Sequence, residues 1–350
     1  MKAGITGLPY SGKTTLFCAL TGQDFESIAH RKEIHIGTVK VPDPRVEKLS
    51  EVFSPKKTTH TTIEYFDVAL QTSGTSKEME PKVLQTLKNA ESLIVIIDSF
   101  SDGADPEADL NSLLDEFVFN DLVVVSNRIE RLDREMRSGS TDAQNSEKKI
   151  LEMCREKLED GLPLRDLELS EGEEKIIRGF QFLTRKTLLI VANISEQLLS
   201  EGKAKAIEDK IRAAGNAPCA AICTELEMEI AALDTLEERI EFLDSMGIAE
   251  PALDRLISLS YESMGLMSFL TVGSDEVRAW TVRTGSNAVD CAGTIHSDLA
   301  RGFIRAEAIA YDDFITAGSL KEGREQGLLR VEGKDYIVQD GDILNIRFSV

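Results

Sequence analysis

Gly7, Gly12, Lys13 and Thr14 carry the spacing with the clearest chemistry in this chain. The run Gly7-Leu8-Pro9-Tyr10-Ser11-Gly12-Lys13-Thr14 fits the phosphate-loop pattern G-x-x-x-x-G-K-[ST] throughout. Glycine at both ends lets the backbone turn and come close to a ligand, because no Cβ intervenes. Successive N–H groups from Gly7 through Tyr10, Ser11 and Gly12 into Lys13, Thr14 and Thr15 form a concavity suited to phosphate oxygens. The N-terminus of a following helix adds partial positive charge. Lys13 has the reach and charge for β- and γ-phosphates, and the Thr14 hydroxyl is placed to ligate Mg²⁺. The pattern therefore expects a bound nucleotide with Mg²⁺.

A loop of this kind works only between a strand and a helix. Lys2 to Thr6 reads as the strand, and Lys13 to Leu20 as a helix that stops at Gly22. A chance match in an ordinary strand–turn–helix is the alternative, and these flanks weigh against it. Further strands are expected at His35 to Val41, at Thr61 to Ala69 with Asp67 at its end, and at Ser92 to Ile97. The last is wholly apolar, as in a parallel sheet buried on both faces. Thr187 to Ala192, ending at Asn193, and Ala217 to Cys223 complete the set. Strands alternating with helices predict a doubly wound, mostly parallel sheet with ligands at the strands' carboxyl ends. Thr6/Gly7, Asp67 and Asn193 all fall there.

Two stretches break this alternation. From Asn111 to Leu158 no strand is expected. Leu122, Val125, Ile129, Leu132 and Met136 alternate three and four apart, then Ile150 or Leu151, Cys154 and Leu158 resume after a polar break. This predicts an inserted helical hairpin with a coiled-coil seam. Arg128, Arg131, Arg134 and Arg137 recur along it among acidic neighbours; a solvated face is the preferred reading, and an RNA-phosphate contact the sharper one. Ser170-Glu171-Gly172-Glu173 forms a capping box, opening a helix with Ile176, Phe180 and Leu183 on one face. From about Ser268 the pattern changes to short strands at Phe269 to Val272, Val277 to Val282, Ile337 to Val338 and Ile343 to Phe348, with Asp340-Gly341-Asp342 as a turn.

With 350 residues, 42% hydrophobic and 29% charged, the chain has an ordinary soluble composition with ample core. The net charge of −21 argues against non-specific nucleic-acid binding by the whole surface. Five scattered cysteines without a C-x-x-C pattern read as reduced, buried thiols of a cytoplasmic protein. No signal peptide and no membrane-spanning run are expected.

These residues resemble the YchF proteins, members of the Obg group of P-loop GTPases, through nearly the whole length. The resemblance rests on Val41-Pro42-Asp43-Pro44-Arg45, Pro163-Leu164-Arg165-Asp166-Leu167-Glu168-Leu169-Ser170 and Val191-Ala192-Asn193-Ile194-Ser195-Glu196. It is strongest in Val277-Arg278-Ala279-Trp280-Thr281, Ala292-Gly293-Thr294-Ile295-His296-Ser297-Asp298, Phe303-Ile304-Arg305-Ala306-Glu307 and Val338-Gln339-Asp340-Gly341-Asp342. It implies a P-loop NTPase domain over residues 1–267, with a coiled-coil arm inserted at about 108–168, and a TGS-like β-grasp domain over 268–350. Asn193, Ile194 and Glu196 would form the base-binding signature. Related GTPases have Asn-Lys-x-Asp there, and Asn-x-x-Glu goes with acceptance of ATP as well as GTP. Asp67 would hold Mg²⁺ through water. Ribosome or rRNA contact through the arm and the TGS-like domain is implied as well.

Several catalytic features of related enzymes are altered. Asp67-Val68-Ala69-Leu70 lacks the glycine of Asp-x-x-Gly. Tyr10 replaces the family's asparagine, which helps hold a potassium ion in related enzymes. Arg31 stands where a switch threonine would ligate Mg²⁺, and Cys223-Thr224-Glu225 replaces the late Ser-Ala-Lys motif. Two functions follow. One is a slow ATP or GTP hydrolase, monomeric, whose nucleotide state tunes a ribosomal interaction. The other is a nucleotide-binding docking module with negligible hydrolysis. A small-molecule kinase would need an arginine lid and an acceptor site, and the sequence offers no compelling one. No general base is identified.

Overall fold

The computed structural model describes residues 1–28, 34–68, 81–233, 235–246, 248 and 251–349. Contacts divide the chain into two compact units. One comprises Met1–Thr38 and Glu64–Leu256, the other Val39–Ile63 and Ile257–Val350. The strands, in chain order, are β1 (Lys2–Thr6), β2 (His35–Lys40), β3 (Lys57–Thr59), β4 (Thr62–Asp67), β5 (Ser92–Asp98), β6 (Thr187–Asn193), β7 (Cys219–Ile222), β8 (Leu266–Thr271), β9 (Glu276–Arg283), β10 (Phe303–Ala310), β11 (Arg330–Glu332) and β12 (Asp342–Phe348).

The first unit is built on a six-stranded sheet of order β2-β4-β1-β5-β6-β7. β1 pairs in parallel with β4 and β5, β5 with β6, and β6 with β7. The central strands are buried on both faces, which is why Leu93 to Ile97 and Leu188 to Ala192 read as unbroken apolar runs. The expected doubly wound α/β architecture is present. Register brings the strand ends together: Ile5 lies beside Asp67, Asp98 beside Asn193, and Asn193 beside Ile222.

The inserted hairpin consists of helices Pro106–Glu135 and Asp142–Glu159. Asp105 caps the first by accepting from Ala108 N, and Pro106 opens it; Thr141 and Gln144 form a capping box on the second. The centre of the expected seam is buried, with Val125, Ile129 and Leu132 against Ile150, Leu151, Cys154 and Leu158, while Leu122 and Met136 are half-buried. Arg128 forks onto Glu147 at 2.7 and 2.9 Å, so this arginine is used within the hairpin.

Beyond Ser170 the expectation needs correction. The capping box is present, but the helix ends at Ile177, and Ile177 is buried while Ile176 is exposed. Gln181 has a φ of 53°. The turn after it is pinned by Asp121, a fully buried carboxylate of the long arm helix. It accepts from Leu183 N at 3.0 Å, Thr184 N at 2.8 Å and Thr184 Oγ1 at 2.7 Å. These bonds replace the helical ones and set the chain direction into β6.

The second unit holds a mixed sheet of order β11-β10-β12-β8-β9-β3. β8 and β9 form a hairpin, β12 runs parallel to β8, and β10 is antiparallel to β12 and β11. The helix Ala288–Ile295 covers one face with Cys291 and Ala292 against Phe269, Ala306 and Leu344. Helices Pro44–Phe53 and Tyr311–Ala317 cover the other with Val46, Leu49 and Phe314 against Val277 and Ile343. A β-grasp-like sheet is thus present, with three differences from expectation. β10 and β11 are additional strands. Ile337 makes only an isolated bridge to Asn287. Residues 39–63 and 257–267 pack here and not with the first unit, and β3 pairs in parallel with β9. Arg45 fastens the same segment: its guanidinium joins Asp43 (2.8 Å) to Asp340 (2.7 Å).

Candidate functional site

The loop between β1 and the helix Lys13–Thr21 closes around the carboxyl ends of the strands. Its two glycines are dictated by space. A Cβ on Gly7 would lie 2.2 Å from the Ile96 carbonyl oxygen, and one on Gly12 2.3 Å from Asn193 Nδ2. Gly12 also has a φ of 96°, in the left-handed region. The helix starts without a side-chain cap and without an acidic residue in its first turn. Its free N–H groups and dipole are therefore left for an anion from outside the chain.

Around that N-terminus the polar groups are buried and incompletely satisfied. Lys13 Nζ donates to the Leu8 carbonyl at 2.6 Å, folded back over the loop. Thr14 Oγ1 donates to Asp67 Oδ2 at 2.9 Å. Among the described residues, Asp67 Oδ1, Ser11 Oγ and Thr6 Oγ1 are buried without a hydrogen-bond partner. Buried polar atoms are rarely left so. Hard oxygen atoms at a carboxylate and a hydroxyl suit a magnesium ion, which is typically held by one or two protein groups together with phosphate. Thr14 and Asp67 fit that cation.

Electrostatics agree. Burial pushes the Lys13 ammonium down to about 8, against the pull of Asp67. Burial likewise raises the Asp67 carboxyl above the usual range, opposed by the Thr14 hydrogen bond and by Lys13 and His35. The depressed Lys13 value means that its contribution to the unliganded fold is full above its unfolded value and is lost as pH falls through about 8. A bound polyphosphate would hold that proton. Nucleotide affinity is thus expected to be flat below pH ~8 and to fall by up to about tenfold per unit above it, with proton uptake on binding. Titrations from neutral pH to about 9.5 in buffers of different ionisation enthalpy check this.

Asn193 ties the loop to its surroundings. Its Nδ2 donates to the Ser11 carbonyl at 3.1 Å, and its Oδ1 accepts from Thr224 N (3.2 Å) and Thr224 Oγ1 (3.1 Å). One amide hydrogen remains for a ligand. The phosphate loop, the end of β6 and the start of the helix Thr224–Ala231 are thereby held as one piece.

Comparison with known proteins places this geometry. Aligned over 366 residues, the chain is 39% identical to the ribosome-binding ATPase YchF of Bacillus subtilis (strain 168), with 100% of each chain covered. The chain belongs to the YchF family. It is 36% identical to the ribosome-binding ATPase YchF of Escherichia coli O157:H7, covering 100% of this chain and 99% of that one. The structure of the Schizosaccharomyces pombe YchF GTPase matches with a TM-score of 0.86 at 27% identity, over 99% of this chain and 97% of that one. The family model YchF-GTPase_C, described as a protein of unknown function (DUF933), matches residues 266–349.

Within the YchF signature, the residues behave differently. Ile194 is buried in the core and its N–H donates to the Ile222 carbonyl at 2.9 Å, so only its own carbonyl is left for a ligand. Ser195 caps the next helix, accepting from Leu198 N at 3.3 Å. Glu196 is exposed in the first turn of that helix. Tyr10 is 94% exposed with a φ of 66°, a conformation unfavourable for a bulky residue. Thr15 is half-buried in the first turn of the loop's helix. Arg31, Ala69 and Leu70 lie outside the described residues; Val68, after Asp67, is fully buried.

Sequence reasoning missed His35. Its Nε2 is buried without a partner among the described residues, its ring lies 6.4 Å from that of Phe17, and it is one of the groups that oppose the upward shift of Asp67. A lone histidine opening a strand gave no signal of this. The five cysteines are free and buried, as expected. Among the described residues, no helix is long and apolar enough to cross a membrane.

Proposed function

We propose that the chain binds ATP or GTP with Mg²⁺ at this loop and hydrolyses it slowly, as a cytoplasmic monomer. Its nucleotide state tunes an interaction with the ribosome through the helical arm and the TGS-like unit. One observation carries the binding: the uncapped helix N-terminus with Ser11 Oγ and Asp67 Oδ1 buried and unpartnered beside Lys13 and Thr14. Lys13 would leave the Leu8 carbonyl to neutralise the outer phosphates, while Thr14 and Asp67 would hold Mg²⁺. A bound Mg²⁺ adds charge neutralisation between phosphates. Asn193 would give its remaining N–H to the base and keep the loop in register, and Glu196 would approach the base edge from the helix start. The name shared by the relatives, ribosome-binding ATPase, supports both the nucleotide and the partner.

A second reading keeps binding and drops hydrolysis. It is favoured by Tyr10, whose side chain stands free at the loop in a strained conformation, and by Val68, buried where an altered switch follows Asp67. Phosphoryl transfer relies on positioning and charge stabilisation, and both changes fall on positioning groups. Phosphate release under saturating ATP separates the two. Turnover above the Lys13→Ala background supports the hydrolase, and turnover equal to that background selects the docking module. In parallel titrations, ATP is expected to bind at least as tightly as GTP. Binding of GTP alone would overturn the role given to Glu196.

A further inference from the structure

β12 has two neighbours for only part of its length. Its pairing with β10 runs from Ala310↔Asp342 to Phe303↔Phe348, whereas its pairing with β8 is the single register pair Leu270↔Ile343. β8 ends at Thr271. Beyond Leu344, the side of β12 that faces β8 has no strand beside it among the described residues. Every second residue there directs its N–H and C=O away from β10, toward an open position. A cavity of about 530 Å³ lies along this edge, bounded by Thr271 and Val272 at one end and by Arg347 and Phe348 at the other.

The two walls of the cavity differ in chemistry. Residues alternate across a strand, so Asn345 and Arg347 face one way and Ile346 and Phe348 the other. Lys321 and Arg324 join Arg347 in the lining, and Ile295 and Leu299 belong to the apolar cluster of Ile346. Glu307 accepts from Arg324 (3.0 Å), Arg347 (2.9 Å) and Asn345 (3.2 Å). Three cations against two carboxylates, Glu307 and Glu325, leave one positive charge in excess on this wall of a chain of net charge −21. Lys321 is 85% exposed, its salt bridge to Glu325 spanning 3.9 Å.

An open strand edge between a basic wall and an apolar wall selects its occupant. RNA would use the cations and could stack a base on Phe348, but it offers no backbone to complete a sheet. An extended peptide offers that backbone and an apolar face, through strand addition. We propose that β12 is a strand-addition site for a partner protein's extended segment in which acidic and apolar residues alternate. The acidic side chains meet Lys321, Arg324 and Arg347, and the apolar ones meet Phe348, Ile346 and Leu299.

The test uses the full chain and a fluorescein-labelled synthetic peptide alternating Glu with Val and Leu, beside a peptide of the same composition arranged in blocks. The alternating peptide is expected to bind at least about tenfold more tightly by anisotropy, because only alternation satisfies both walls. Lys321→Glu and Phe348→Asp, both at exposed positions, are each expected to weaken it at least about threefold. Hydrogen exchange at 344–348 should slow while β11, the exposed outer strand, does not change. Equal binding of the two peptides, no binding, indifference to both substitutions, or protection at Arg330–Glu332 instead would overturn the proposal. So would displacement of the peptide by oligouridylate together with loss of oligouridylate binding in Lys321→Glu.

Discussion

Lys13→Ala is expected to weaken ATP binding at least about a hundredfold while leaving the fold intact. A buried charge that loses its partner costs about 3–5 kcal/mol, equivalent to roughly two to four orders of magnitude in affinity. Here the stranded charge is the polyphosphate, held in a loop whose other donors are neutral N–H groups. The unliganded fold should tolerate the change. Lys13 is buried, its ammonium is pushed down to about 8, and its hydrogen bond goes to a single carbonyl of the loop. Its removal therefore relieves a desolvation cost at neutral pH. The measurements are equilibrium binding of a fluorescent ATP analogue and a thermal melt of the same preparation. Retained binding would show that the loop is not a phosphate site. Lost binding with a collapsed melting temperature would mean that Lys13 is structural.

Asp121→Ala is expected to be the most damaging substitution away from the nucleotide. It leaves Leu183 N, Thr184 N and the Thr184 hydroxyl without their acceptor in a buried place. Each stranded donor costs about 1–3 kcal/mol, so a loss of at least about 3 kcal/mol is expected even after the relief of a buried charge. Burial raises this carboxyl above the usual range, and its hydrogen bonds to Thr184 and Leu183 oppose that shift. Asp121→Asn should recover part of the loss, because one carbonyl oxygen still accepts while the new amide faces donors. Chemical denaturation of the three proteins measures this. The same bonds orient the chain that enters β6, so Asp121→Ala should also loosen Asn193 and lower nucleotide affinity secondarily. A loss below about 1 kcal/mol would contradict the role given to Asp121.

What could be read in advance was local. The phosphate loop is eight consecutive residues whose glycines answer to close neighbours, Ile96 and Asn193. The parallel strands are unbroken apolar runs, and the arm's seam repeats within two helices. What could not be read depends on partners far along the chain. β3 is three residues without an apolar pattern, and exists as a strand through pairing with β9; its Thr59 bonds to a residue 217 positions away. That pairing, the packing of Val46 and Leu49 on the sheet and the Arg45–Asp340 bridge place residues 39–63 with the second unit. Asp121 reads as one more polar position on a helix until Thr184 closes over it. The bracing of the loop by Asn193 is visible only once Ser11 and Thr224 stand beside it. His35 needed Asp67, thirty-two residues later, to become notable.

The central claim is that this loop holds a nucleoside triphosphate with its magnesium ion. Calorimetric titration of the nucleotide-free wild-type chain with ATP, in Mg²⁺ and again in excess chelator, tests it most directly. The account predicts one site per chain with affinity at least about tenfold higher in Mg²⁺, since the cation would satisfy Asp67 Oδ1 and the outer phosphates together. No heat of binding in either condition, with GTP giving none as well, would contradict it. The loop would then be a retained shape without a ligand, and the function would rest with the arm and the second unit.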